Sequence, residues 1–309
     1  PFGGCGRKQT PDRELMMKKN LQIAGVLTVF LILWTNQPAF ASETAPSPNI
    51  VNGHPVANDK YPFIAVLQKP QRASNENPFG QVCGGSLISE RAVLTAAHCV
   101  TQTDDNYNFI LSPDGSPSFT LPSEWVVTLG MTALGSKQGQ TANVVKIVTH
   151  PLWAKNLQDM KYDAAILILD QPIAGIAPVQ IADPGLEKIG TRLYVAGWGD
   201  MVAQNANMDR IGRYPKRLQE TKVSIIKDQK CVVAYAPDTN VDPSIQLCLS
   251  STRTDSCDGD SGGPLFKKIE GVWTQFGIVS YGKGCARGTP AVYTRLSSPE
   301  IANFVRTYQ

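Results

Sequence analysis

The sequence predicts an all-β fold, either a sandwich or a barrel. Three observations carry that reading. Short apolar runs of about six residues recur from Ile50 onward. Most are rich in Val, Ile and aromatic residues, which suit a pleated, half-buried surface. Gly, Pro, Asn and Asp clusters separate them, with no helical periodicity in between. In chain order the predicted strands are 63–68, 92–95, 125–129, 144–149 and 164–169, then 193–198, 221–226, 276–281 and 291–294. The end of the chain is the exception. Ser297 and Glu300 have capping-box spacing, and Ile301, Phe304 and Val305 share one helical face. A short C-terminal helix is expected there.

The chain has 309 residues, 42% hydrophobic and 18% charged, so it can bury a sizeable core. The net charge is +3, and it falls to +1 once the residues ahead of Ile50 are set aside. A near-neutral body gives no electrostatic reason to expect nucleic acid or an anionic membrane as partner. Of seven cysteines, Cys5 stands alone and six lie in the body. Six in a secreted chain imply three disulfides, and spacing alone leaves every pairing open.

Residues 17–41 read as a secretory signal peptide. Lys18 and Lys19 form a basic start, 21–34 is apolar and uncharged, and Ala39-Phe40-Ala41 has the small-x-small cleavage pattern. The apolar run is shorter than the ~20 residues of a membrane-spanning helix, so no stable membrane anchor is expected. Residues 1–16 show no usable pattern and are expected to lie outside the natural protein; 42–49 is read as a short propeptide. The body is then 50–309, secreted to an extracellular or periplasmic space.

Three segments carry the residue types of nucleophilic catalysis. Gly259-Asp260-Ser261-Gly262-Gly263-Pro264 places a serine in a glycine-rich turn able to aim backbone N–H groups at one point. Thr95-Ala96-Ala97-His98-Cys99 ends an apolar strand on an imidazole. Tyr162-Asp163-Ala164-Ala165 starts an apolar run with a carboxylate that burial would force to find a partner. His54 and His150 have no such company and are read as structural or surface residues. Residues 101–124, with four acids and three prolines, are read as a long surface loop that, following Cys99 directly, should overhang His98.

The sequence resembles the trypsin-like, chymotrypsin-fold serine proteases. Ile50-Val51-Asn52-Gly53, Cys83-Gly84-Gly85-Ser86-Leu87, the His98 and Asp163 segments, Gly197-Trp198-Gly199, the Ser261 segment and Ser280-Tyr281-Gly282 match in order. The resemblance implies two six-stranded antiparallel β-barrels, roughly 50–170 and 171–309, with the active site between them. It implies a triad of His98, Asp163 and Ser261, and an oxyanion hole from the N–H groups of Gly259 and Ser261. It implies disulfides Cys83–Cys99, Cys231–Cys248 and Cys257–Cys285. Asp255 falls at the floor of the specificity pocket, implying cleavage after Arg or Lys, with Ser280, Gly282 and Ala291 also in the substrate site. Ala291 departs from the family's usual Gly. Ile50 and Asp260 are the implied activation pair, made when another protease cuts after Asn49. Proteinaceous inhibitors are further expected partners. No metal or cofactor is implied: residues 125–155, where the family's calcium loop falls, contain no Asp or Glu. The competing expectation is a catalytically silent protein of the same fold.

Overall fold

The computed structural model describes residues 50–75, 77–203 and 213–309. The expected upstream segment, signal peptide and propeptide, with Cys5 and Asn49, lie outside them. After β1 (His54–Pro55), six strands build the first half. They are β2 (Ile64–Gln68), β3 (Gln81–Ser89), β4 (Ala92–Thr95), β5 (Val126–Leu129), β6 (Gln140–Thr149) and β7 (Ala165–Leu169). They close into an antiparallel barrel in the order β2-β3-β4-β7-β6-β5. A single helical turn, α1 (Ala97–Val100), follows β4.

The second half holds β8 (Gln180–Ile181), β9 (Arg192–Gly197), β10 (Gln219–Ser224), β11 (Gln246–Leu249), β12 (Pro264–Ile269), β13 (Val272–Tyr281) and β14 (Ala291–Arg295). Six of them run antiparallel in the order β10-β9-β12-β13-β14-β11. The ring is completed by one isolated bridge, Ile225 to Leu249, with Ile226 N–H donating to the Cys248 carbonyl at 3.0 Å. Two strands lie outside the expected scheme: β1 extends the sheet beside β10, and β8 pairs with β13 in parallel.

Burial explains the strand patterns. In β6, Ala142 and Val144 are buried between exposed Thr141, Asn143 and Val145, as period-two alternation requires for a wall with one wet face. In β2, Ile64 to Leu67 are all buried. Tyr61 and Phe63 from the first half meet Phe266 and Trp273 from the second, with Tyr61–Phe266 ring centroids 4.8 Å apart and Phe63–Phe266 5.3 Å. Such edge-on pairs add about 0.5–1.5 kcal/mol each beyond burial.

Two further α-helices are present among the described residues. α2 (Gln229–Tyr235) is tied to β11 by the Cys231–Cys248 disulfide. α3 (Pro299–Arg306) is the expected C-terminal helix, and it buries Ile301 and Val305. Its N-cap is Ser298 rather than Ser297, because Pro299 takes the first helical position and holds the preceding residue extended. Ser297 instead donates to Glu187 at 2.8 Å.

Candidate active site

β4 is fully buried and delivers its chain directly into α1, where Cys99 is bonded to Cys83 of β3. That anchor leaves His98 at the edge of the turn with its side chain 18% exposed. Asp163 sits two residues ahead of β7, wholly buried, and Tyr162 before it has a left-handed φ of 59°. The carboxylate is satisfied on both oxygens. Oδ1 accepts the His98 backbone N–H at 2.8 Å, and Oδ2 accepts His98 Nδ1 at 2.7 Å and Ser280 Oγ at 2.5 Å. Thr294 Oγ1 donates to the Asp163 carbonyl at 2.8 Å. With Nδ1 donating to Asp163, the lone pair of His98 lies on Nε2, the atom of a general base.

Ser261 stands in the turn before β12. Gly84 N–H donates to its carbonyl at 2.8 Å, and Gly262 N–H donates to the Val279 carbonyl at 2.8 Å. Gly262 has φ +80°, and a Cβ there would lie 2.1 Å from Thr95 Oγ1, so only glycine fits. Ser261 and His98 line the same cleft. Among the described residues no hydrogen bond joins Ser261 Oγ to His98. Catalytic contacts of that kind often tighten only with substrate present.

The cleft deepens into a pocket lined by Asp255, Ser256, Tyr281, Gly282 and Ala291, its walls joined by the Cys257–Cys285 disulfide. Asp255 is 2% exposed. Its Oδ2 accepts Ser251 Oγ and the Ala286 N–H, the Ser256 N–H lies close enough to favour the charged form, and among the described residues Oδ1 is buried with no partner in hydrogen-bond geometry. Burial pushes its carboxyl up to about 7, against the opposing pull of those donors. Ser280 lines the cleft, but its hydroxyl is turned to Asp163.

Behind the pocket, Ile50 and Val51 are buried, and Val51 packs on Cys257, Cys285 and Ala286. Asp260 is also buried, with Oδ1 accepting Gly199 N–H at 2.8 Å and Oδ2 accepting Cys257 N–H at 3.0 Å. Burial, with Asp255 and Asp200 nearby, raises its carboxyl to about 7. Among the described residues no cation pairs with it.

The profile of the trypsin family matches residues 50–305. The chain belongs to the trypsin family. It is 32% identical to a trypsin-like protease of Streptomyces glaucescens over 288 residues, covering 92% of this chain and 91% of that one. It is 32% identical over 257 residues to phenoloxidase-activating factor 3 of Holotrichia diomphalia, covering 80% of this chain and 69% of that one. The serine protease Hayan of Drosophila melanogaster is 31% identical over 271 residues, covering 81% of this chain and 38% of that protein. This trypsin-family chain is a serine-type endopeptidase.

His98 from the first half and Ser261, Gly259, Asp255, Ser280, Gly282 and Ala291 from the second line the cleft. Asp163 does not line it and joins the group through its hydrogen bonds to His98 and Ser280. The three expected disulfides are present. They belong with the oxidising, extracytoplasmic setting of secreted proteases. Among the described residues no helix is long and apolar enough to cross a membrane. Among the described residues the one cluster with metal-ligand geometry is Cys83, His98 and Cys99. Its two sulfurs are bonded to each other and offer no thiolate. His150 is buried, stacked on Tyr162 with centroids 4.9 Å apart, and desolvation lowers its pKa; His54 is exposed on β1. Sequence reasoning missed Thr294 and Ser251, which hold Asp163 and Asp255. Thr103, Tyr107 and Phe109 line the cleft with His98, where a loop that follows Cys99 directly is expected to lie.

Proposed function

We propose that this protein is a secreted endopeptidase that cuts polypeptides after Arg or Lys, made as a precursor and activated by cleavage between Asn49 and Ile50. The carrying observation is the unpartnered Oδ1 of Asp255, buried at the end of the pocket. A buried carboxylate oxygen without a donor is costly, and a guanidinium or ammonium in the pocket supplies one.

In this reading Ser261 Oγ attacks the scissile carbonyl carbon and passes its proton to His98 Nε2. Asp163 keeps the imidazole oriented and stabilises its charged form. The Gly259 and Ser261 N–H groups take the charge that develops on the carbonyl oxygen, each worth about 3–4 kcal/mol in the transition state. His98 then protonates the leaving amine, and water, activated by the same imidazole, hydrolyses the acyl-enzyme. The signal-like pattern at 17–41 supports export of the precursor.

Two measurements test this. A fluorophosphonate should label Ser261, and Ser261→Ala should lose both label and turnover; loss of the nucleophile in a protease with the same triad logic lowered kcat about 10⁶-fold. Peptide-library profiling of enzyme beginning at Ile50 should show Arg and Lys before the cut. An unlabelled wild-type protein would favour the silent-protein reading. Labelling with cleavage after Phe or Leu would leave the protease and overturn the pocket assignment.

A further inference from the structure

Gly259 is pinned on both sides, and one of the pins is a side chain outside the triad and the pocket. The Asp258 carbonyl accepts Asp200 N–H at 2.8 Å. Because the peptide is trans, the Gly259 N–H of the same plane points the opposite way. That N–H has no acceptor among the described residues, and Gly259 lines the cleft with His98 and Ser261. The next peptide plane is held from the other barrel: Gln81 Nε2 donates to the Gly259 carbonyl at 2.6 Å. Gln81 opens β3 and is 4% exposed. Asn77 brackets its backbone, accepting the Gln81 N–H on Oδ1 at 3.2 Å and donating from Nδ2 to the Gln81 carbonyl at 2.6 Å.

A glycine needs such pins. Gly259 has φ +94°, a conformation that costs glycine nothing to enter and nothing to leave. A Cβ there would lie 3.2 Å from Gly199 Cα and 3.2 Å from Gln81 Oε1, a tight approach, and the positive φ strains any residue with a Cβ. An oxyanion donor works only if it is aimed before the charge develops. We propose that Gln81 is a positioning residue that holds Gly259 with its N–H directed into the cleft. The proposal rests on the reading of Gly259 as an oxyanion donor.

The test uses the full-length body beginning at Ile50 and three probes: an Arg p-nitroanilide, a peptide aldehyde ending in Arg, and benzamidine. The aldehyde forms a tetrahedral adduct with Ser261 and needs the oxyanion donors; benzamidine fills the pocket alone. Gln81→Leu should lower kcat roughly tenfold to a hundredfold, short of the 10²–10³ seen when a donor is removed outright. Aldehyde affinity should weaken in step, while KM and benzamidine affinity stay within about twofold. Gln81→Glu has the same shape but cannot donate when ionised. Its activity relative to wild type should be low at pH 8 and recover as acid protonates the carboxyl and restores a donor. Wild-type kcat and aldehyde affinity in both variants would overturn the proposal. So would equal weakening of benzamidine and aldehyde, which would mean general damage to the site. A wild type that forms no aldehyde adduct would refute the catalytic reading itself, a distinct result.

Discussion

Asp255 and Asp260 are two buried carboxyls raised to about 7, and each calls for a cation from a different source. For Asp255 the source is substrate. Its folded pKa lies above the ordinary value of 3.8, so its contribution to stability is fully present below about pH 4 and is lost as pH rises through 7. A bound cation offsets that loss by pairing with the ionised form. Benzamidine should therefore bind about tenfold more tightly per pH unit as pH rises toward 7, and level off above it. Asp255→Asn should bind weakly and show no such slope. Competition titrations between about pH 5.5 and 8 check this, and a flat wild-type curve would deny Asp255 the role of acceptor. Ala291 is buried in the same pocket wall. Ala291→Gly should raise kcat/KM on Arg and Lys substrates, since one methyl in a specificity pocket is worth about 1–3 kcal/mol. No change, or a loss, would mean that the pocket is shaped around the methyl. The proposed triad was legible because each member sits in a motif of its own. Its supports were not: Ser280 and Thr294 lie 117 and 131 residues from Asp163, and only the folded chain chooses which hydroxyl reaches a carboxylate.

Among the elements, strands with unbroken β-branched or aromatic runs were readable within a few residues, β4 to the residue. β3 was not, because Gly84 and Gly85 interrupt its pattern, although the barrel pairs it on both edges. β12 begins on Pro264 and carries Lys267 and Lys268, and β11 has no β-branched or aromatic residue. The segment 101–124 reads as polar loop and is a ladder held by isolated bridges: Thr101 with Phe119, Thr103 with Phe109, and Leu111 with Pro117. Its base is locked, since Trp153 Nε1 donates to Thr101 at 3.0 Å and Trp125 Nε1 to Thr120 at 2.8 Å. Tyr107 and Phe109 from this ladder line the cleft beside His98. Replacing 104–117 by a short turn keeps both anchors. Hydrolysis of a single-residue Arg anilide should stay within about threefold of wild type, because its one acyl side chain fills the Asp255 pocket and has no upstream residue to meet the ladder. Cleavage rates across a panel of folded proteins should be reordered. Unchanged rates across that panel would leave the ladder without a role in recognition.

At the scale of the whole molecule, the proposed activation by a cut after Asn49 would tie Asp260 to stability. Among the described residues its carboxyl is buried without a cation, so ionising it as pH rises through about 7 destabilises the fold around the Ser261 turn. Ile50 and Val51 already occupy buried positions behind the pocket. A cut after Asn49 would free an α-amino group there, and its pairing with Asp260 would bring the carboxyl back toward its ordinary pKa. The cut should therefore raise Tm more at pH 8, where the uncut chain carries the ionised and unpaired acid, than at about pH 5.5, where that acid is protonated. Calorimetry of both forms at both pH values checks this, and equal shifts would dissociate Asp260 from the switch. The same bond sets who can make the cut. It follows Asn49, and no Arg or Lys lies between Ser42 and Asn49. An enzyme whose pocket ends on Asp255 should leave it intact. Purified precursor beginning at Ser42 should stay inactive on incubation, trace mature enzyme should not accelerate it, and an asparagine-directed endopeptidase should activate it. Self-propagating activation with a cut at Asn49–Ile50 would contradict the pocket, and full activity with any other N-terminus would contradict the amine–Asp260 pair.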